Sequence, residues 1–118
     1  MTKGIGVDLA EVSRFRSMDC NLLGRLFTEN ELRKASERAR SDEYLASRFA
    51  AKEALSKAVG TGVRGFTMLD IEIDEEPSGR PYFILSERFR SLFPSLSFFL
   101  SISHEGGYAC AMVVADEV

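Results

Sequence analysis

Apolar and polar residues recur along this chain at two periods, and the change of period marks the elements. Placed at about 100° per residue, Ala50, Ala51, Ala54, Leu55, Ala58 and Val59 fill one half of a helical wheel. Arg48, Lys52, Glu53, Ser56 and Lys57 fill the other half, with Phe49 alone among the charges. The pattern predicts a helix over about 42–59, capped by Ser41 or Asp42 and stopped by Gly60-Thr61-Gly62. The period shortens to two at 68–74, where apolar and acidic residues alternate as in a half-exposed strand, and a turn at 75–80 leads to a partner at 81–85. Strands are also expected at 4–9, 96–103 and 108–115, the last apolar enough to be central. His104-Glu105-Gly106-Gly107 reads as the tight turn between the last two. Short helices are expected over 11–18, carrying Arg14 and Arg16, over 22–27, and over 87–93 behind the cap Ser86. Thr28 and Glu31 form a capping box that opens a helix running to about 40.

This order of elements argues for an α+β fold, a mostly antiparallel sheet with helices packed on one side. At 118 residues the chain is expected to be a single domain, 1–118, long enough to bury a core without staples. The net charge of −3 gives no general pull toward nucleic acid or an anionic membrane. No apolar run approaches the roughly 20 residues of a membrane span. Cys20 and Cys110 are too few and too isolated for a disulfide framework or a metal cage, and Cys110 reads as a small buried hydrophobe. A reducing, cytoplasmic setting is expected.

Several residues carry candidate chemistry. Asp8 closes an apolar strand, where it either caps the next element or meets a cation. Glu53 and Lys57 are four apart, so they meet on one helix face, as a solvated pair or as a functional one. The glycine-rich loop at 60–65 lacks the Lys-Ser/Thr ending of a P-loop and follows a helix instead of preceding one. His104 is the one histidine, set at a strand end where side chains face clefts, and is either structural or functional.

Three stretches, taken in order, resemble the motifs of the 4′-phosphopantetheinyl transferases: Gly4-Ile5-Gly6-Val7-Asp8, the run from Arg48 to Ala58 that contains Lys52-Glu53-Ala54, and Ser101-Ile102-Ser103-His104. The length and Gly60-Thr61-Gly62 resemble the short bacterial branch, and the resemblance covers essentially the whole chain. It implies transfer of the phosphopantetheine arm of coenzyme A to a serine of apo-acyl carrier protein, for fatty acid biosynthesis, with adenosine 3′,5′-bisphosphate as the other product. It implies Mg²⁺ held by Asp8 and Glu53, with coenzyme A as co-substrate. Two carboxylates suit that ion, which prefers oxygen ligands and commonly takes only one or two from protein.

By the same resemblance Glu53 accepts the serine proton, Lys57 neutralises the leaving phosphate and His104 assists. Arg48, Ser56, Lys57, Gly60, Thr61, Gly62, Pro81, Ser103 and His104 line the coenzyme A cleft. Arg14, Arg16, Met18 and Arg25 dock the acidic carrier protein, although Asn21 and Gly24 stand where members often carry arginine. A homotrimer with active sites between subunits is implied, so His104 can serve a neighbour's site. Two other readings compete: a catalytically silent module that binds coenzyme A or carrier protein, and a Mg²⁺-dependent diphosphate hydrolase. The hydrolase fits less well, because it usually wants more carboxylates on one helix than Glu53 alone.

Overall fold

The computed structural model describes residues 1–60 and 64–118. A strand β1 (Thr2–Glu11) opens the chain, followed by one 3-10 turn at Val12–Phe15. Three helices come next: α1 (Cys20–Leu26), α2 (Glu29–Ser36) and α3 (Ser41–Ala58). A hairpin of β2 (Ile71–Glu75) and β3 (Pro81–Leu85), a short α4 (Glu87–Leu92) and a long hairpin of β4 (Leu96–Glu105) and β5 (Tyr108–Glu117) complete it. β5 is central in a three-stranded antiparallel sheet of order β1-β5-β4, and β2-β3 forms a second antiparallel pair. The α+β expectation holds, and so do the capping box at Thr28 and Glu31 and the cap at Ser86, whose hydroxyl accepts from the Phe89 amide.

α3 lies on one face of the sheet, and small residues set how close it comes. Ala10, Ala109, Ala111, Val113 and Ala115 from the strands meet Ala50, Ala51, Ala54 and Ala58 from the helix in one buried cluster. Gly4 and Gly6 bring β1 closer still: a methyl group at either would fall within 2.0 Å of the Ala58 or Ala54 carbonyl oxygen. Among the described residues nothing covers the opposite face of the sheet. Ile5, Val7, Leu9, Phe99 and Met112 are between 49% and 64% exposed there, a patch of the kind that marks an interface.

Five sequence expectations need correction. The helix placed over 11–18 is only the 3-10 turn, because β1 runs through Glu11. The helix begun at Thr28 ends at Ser36, where its apolar anchoring by Ala35 gives out. The strand at 68–74 begins only at Ile71; Met68–Asp70 is a 3-10 turn in which Asp70 accepts from the Thr67 amide and pairs with Arg88. His104 belongs to β4, opposite Ala109, and the turn is Gly106-Gly107 with φ of 60° and 84°. Cys110 is only half-buried, in the row of Leu9 and Ser103 on the uncovered face.

The wheel also misplaced three polar residues. Arg48, Lys52 and Ser56 are buried, not solvated. Lys52 and Glu31 are both fully buried as a pair, N···O 2.6 Å, and the ammonium also donates to the carbonyls of Leu26 at 2.7 Å and Met68 at 3.1 Å. The second Glu31 oxygen accepts from the Ile73 amide at 2.9 Å. Burial lowers the Lys52 pKa and the Glu31 carboxylate opposes that shift. Three acceptors for three protons is what makes a buried ammonium tolerable, and the pair ties α2, β2 and α3 together.

Candidate active site

The sequence-predicted residues fall on two flanks of α3. On the first flank, Asp8 sits within β1 opposite Ala111, which excludes the helix-cap reading of it. Lys57 reaches across from the last turn of α3 and donates to the Val7 carbonyl at 3.0 Å and to Asp8 Oδ1 at 3.1 Å. Its ion partner is therefore Asp8 and not Glu53, four residues back on its own helix. Glu53 is half-buried on the same side. Burial raises its pKa, the Asp8 charge raises it further, and the charges of Lys57 and Arg14 pull it back.

A carboxylate whose proton affinity is raised by burial and by a second carboxylate forms with it a site that favours a cation. Their oxygens suit a hard divalent ion. Among the described residues no third acid, histidine or cysteine joins them, so such an ion would take its remaining oxygens from water or from a ligand. The close approach of α3 at Gly4 and Gly6 is what sets the helix carboxylate against the strand carboxylate.

The second flank holds a cavity of about 430 Å³ lined by Arg38, Arg40, Arg48, His104 and Tyr44, with Glu43 and Glu75 among them. Arg48 is 6% exposed and stands over the Tyr44 ring at 4.1 Å. Among the described residues its Nε and Nη2 and the Tyr44 hydroxyl are buried without a hydrogen-bond partner, and Nη2 stands 3.7 Å from the Glu75 carboxylate as a looser ion pair. Arg38 covers the same ring at 4.6 Å and binds Glu75 at 2.5 Å. His104 Nδ1 lies 3.4 Å from Glu43. A buried guanidinium with unmet donors, beside two further arginines, is arranged to receive an anion of several oxygens. Sequence reasoning assigned Arg48 and His104 to the coenzyme A cleft but missed Arg38, Arg40 and Tyr44; the signal was the Arg38-Ala39-Arg40 run just ahead of α3, which it counted only as the end of the preceding helix.

The flanks stand apart in one chain. Residues 48 and 53 are separated by about 140° around the helix. Asp8 is on β1 and His104 on β4, with β5 between, a spacing of about 10 Å. Ser103 alternates with His104 along β4 and lines a shallow hollow with Leu9, Tyr108 and Cys110, to which His104 also contributes. Pro81 starts β3 opposite Glu75; Glu75 lines the cavity and Pro81 does not. Ser56 is buried, its hydroxyl donating to the Lys52 carbonyl. Gly60 takes φ of 80° after α3, while Thr61 and Gly62 lie outside the described residues. Of the docking set, Arg14 and Arg25 are exposed, Arg16 is bound to Asp42 at 3.0 Å and Met18 packs partly against the core.

A family model of the 4′-phosphopantetheinyl transferase superfamily matches residues 4–113. The chain belongs to this family. It is 42% identical over 126 residues to a holo-(acyl-carrier-protein) synthase of Clostridium perfringens strain 13, covering 98% of this chain and 95% of that one. Its fold matches that of a Neisseria meningitidis holo-(acyl-carrier-protein) synthase with a TM-score of 0.91 at 34% identity, over 99% of this chain and 100% of the other. A Bacillus anthracis synthase, solved in complex with coenzyme A (3′,5′-ADP), matches with a TM-score of 0.86 at 40% identity, over 100% and 99%. Among transferases of this family, then, the chain stands beside members that act on acyl carrier protein. Among its described residues no helix is long and apolar enough to cross a membrane.

Proposed function

We propose that this chain is a cytoplasmic transferase that moves the phosphopantetheine arm of coenzyme A to a serine of apo-acyl carrier protein, serving fatty acid synthesis. The observation that carries the reading is the pair of flanks: two crowded carboxylates with a lysine on one, unmet arginine donors on the other. Arg48, with Arg38, Arg40 and His104, holds phosphate oxygens of the nucleotide end. Asp8 and Glu53 hold Mg²⁺, which when bound neutralises charge on the diphosphate.

The serine oxygen attacks the β-phosphorus, and its proton passes to Glu53. The bond from that phosphorus to the bridging oxygen breaks, and adenosine 3′,5′-bisphosphate leaves with the electron pair. Lys57, freed from Asp8, meets the charge that builds on the leaving phosphate. A carboxyl with a raised pKa is better matched to taking a proton than an ordinary one.

We propose a homotrimer as well. α3 stands between the two flanks of one chain, and the apolar face of the sheet that the described residues leave open offers a surface through which copies join. One protomer's Asp8, Glu53 and Lys57 then face a neighbour's Arg48 and His104. Light scattering is expected to give three times the chain mass.

The test is the intact mass of apo-acyl carrier protein after incubation with this chain, coenzyme A and Mg²⁺. A gain of one phosphopantetheine arm, abolished by EDTA and by Glu53→Gln, is expected. Bound coenzyme A with no mass gain on any of several acidic carrier proteins overturns the reading in favour of a silent binding module. Release of nucleotide without an acceptor protein points to a hydrolase.

A further inference from the structure

Phe49 is the one aromatic on the charged half of α3, and the chemistry above leaves it without a role. It is half-buried and precedes Glu53 by four residues, so the ring and the carboxylate share one helix face. Its ring lies 5.6 Å from that of Phe15, which meets the buried Phe27 edge-on at 6.0 Å. A column of three rings therefore runs from the core to the surface beside Glu53. Each end carries a cation: the Lys52 ammonium is 5.4 Å from the Phe27 centroid, and the Arg14 guanidinium is 5.3 Å from that of Phe49 and 5.7 Å from that of Phe15.

Arg14 differs in this from the arginine two residues on. Arg16 is held by Asp42, whereas no described ion pair includes Arg14. Its planar group rests on two ring faces, which fix its position without neutralising its charge.

We propose that Phe49, backed by Phe15, is a positioning residue that holds the Arg14 guanidinium beside Glu53, so that the cation meeting the acidic acceptor protein stands at a fixed place relative to the carboxylate that takes the serine proton. This rests on the reading of Arg14 as a docking residue. A lysine in its place keeps the charge and loses the flat stacked contact. Leucine at position 49 keeps apolar bulk and loses the ring face; tryptophan keeps the face.

The experiment is a double-mutant cycle on the full-length protein, reading transfer with carrier protein and coenzyme A varied separately. Phe49→Leu is expected to lower kcat/KM for carrier protein about tenfold and leave the KM for coenzyme A unchanged. Phe49→Trp is expected to stay within about threefold of the parent. In an Arg14→Ala background Phe49→Leu is expected to cost nothing more. An equal loss in both backgrounds, or an equal rise in the KM for coenzyme A, overturns the proposal and leaves Phe49 a packing residue. A second readout needs no turnover. The ring currents of Phe49 and Phe15 are expected to shift the Arg14 side-chain resonances, and Phe49→Leu to return them toward free-arginine values. Unmoved resonances refute the platform even if the protein transfers nothing, whereas failure of parental transfer with shifted resonances refutes the functional reading alone.

Discussion

Gly6→Ala tests whether the approach of β1 to α3 sets the catalytic geometry. A Cβ at Gly6 would lie 1.9 Å from the Ala54 carbonyl oxygen and 2.8 Å from the Ala58 nitrogen. Both are backbone atoms of α3, so no side chain can swing aside. Real Cβ atoms essentially never come under 3.0 Å of another heavy atom, so strand and helix must part by about 1.1 Å, that minimum less the 1.9 Å available. Ala54 follows Glu53 directly, and Asp8 lies two residues along β1 from Gly6. The parting therefore falls on the separation of the two carboxylates. A misplacement of about 1 Å at reacting geometry costs on the order of 100-fold. Overpacking itself costs about 1–3 kcal/mol of stability, which a folded domain survives. Initial transfer rates and urea unfolding, both at one fixed protomer concentration, measure the two effects. Gly24→Ala is the control. Its added methyl meets nothing within 4 Å, and mid-helix alanine is expected to raise stability by about 0.5–1 kcal/mol with turnover unchanged. A Gly6→Ala protein with kcat within threefold of the parent refutes the argument.

Three further outcomes follow from the buried and half-buried charges. Glu31→Gln leaves the Lys52 ammonium without its counter-ion in a fully buried place; a loss of about 3–5 kcal/mol is expected by urea unfolding, partly recovered by adding Lys52→Met, and a loss under about 1 kcal/mol contradicts the pairing. Asp70 is pushed up by burial, but the Arg88 guanidinium, the Thr67 amide and the Ser86 hydroxyl together hold its pKa down at about 2, against an ordinary 3.8. A depressed carboxylate stabilises above its unfolded pKa and loses that contribution as pH falls through its folded one, so Asp70→Asn is expected to remove about 2 kcal/mol of the decline in stability between pH 5 and pH 2. Glu53 has the opposite sign: its raised pKa means that its charge opposes folding as pH rises past the ordinary carboxylate range. Glu53→Gln is thus expected to melt higher than the parent at pH 7 without metal, with the difference gone at pH 4. With Mg²⁺ at ten times its Kd the order reverses, the parent alone gaining about 1.4 kcal/mol.

Local signals in the chain translate directly into local structure. Thr28 and Glu31 form the capping box that their spacing announces, and Pro81–Leu85 is a strand because its proline sits where no amide is needed. What local signals miss is satisfied burial. A wheel sorts Lys52 with the charges because it sees one helix, and the Leu26 carbonyl, the Met68 carbonyl and Glu31 reach it from three other elements. Asp70 likewise looks like the polar beat of a strand until Arg88, eighteen residues on, is placed beside it. The end of β4 is a matter of register: with both glycines of the turn at positive φ, pairing runs on through His104 to Glu105 and Tyr108.

The candidate site shows the same limit at a larger scale. Spacing alone links Glu53 to Lys57, yet the folded chain gives Lys57 to Asp8, forty-nine residues away, and leaves Glu53 to feel Asp8 through space. The motif from Arg48 to Ala58 reads as one unit because it is one helix. Its first residue nevertheless lines the arginine-rich cavity toward β2 and β4, while its last charged residue meets β1. A helix about 10 Å across separates the two groups that the proposed reaction brings to one ligand. The homotrimer proposed above would bring them together, with a copy on the open face of the sheet setting one chain's carboxylates opposite another chain's arginines. Breaking that face, for example by Val7→Glu, is then expected to abolish transfer and leave every proposed catalytic side chain in place. A monomeric Val7→Glu protein that still transfers at the parental rate would return both flanks to a single chain.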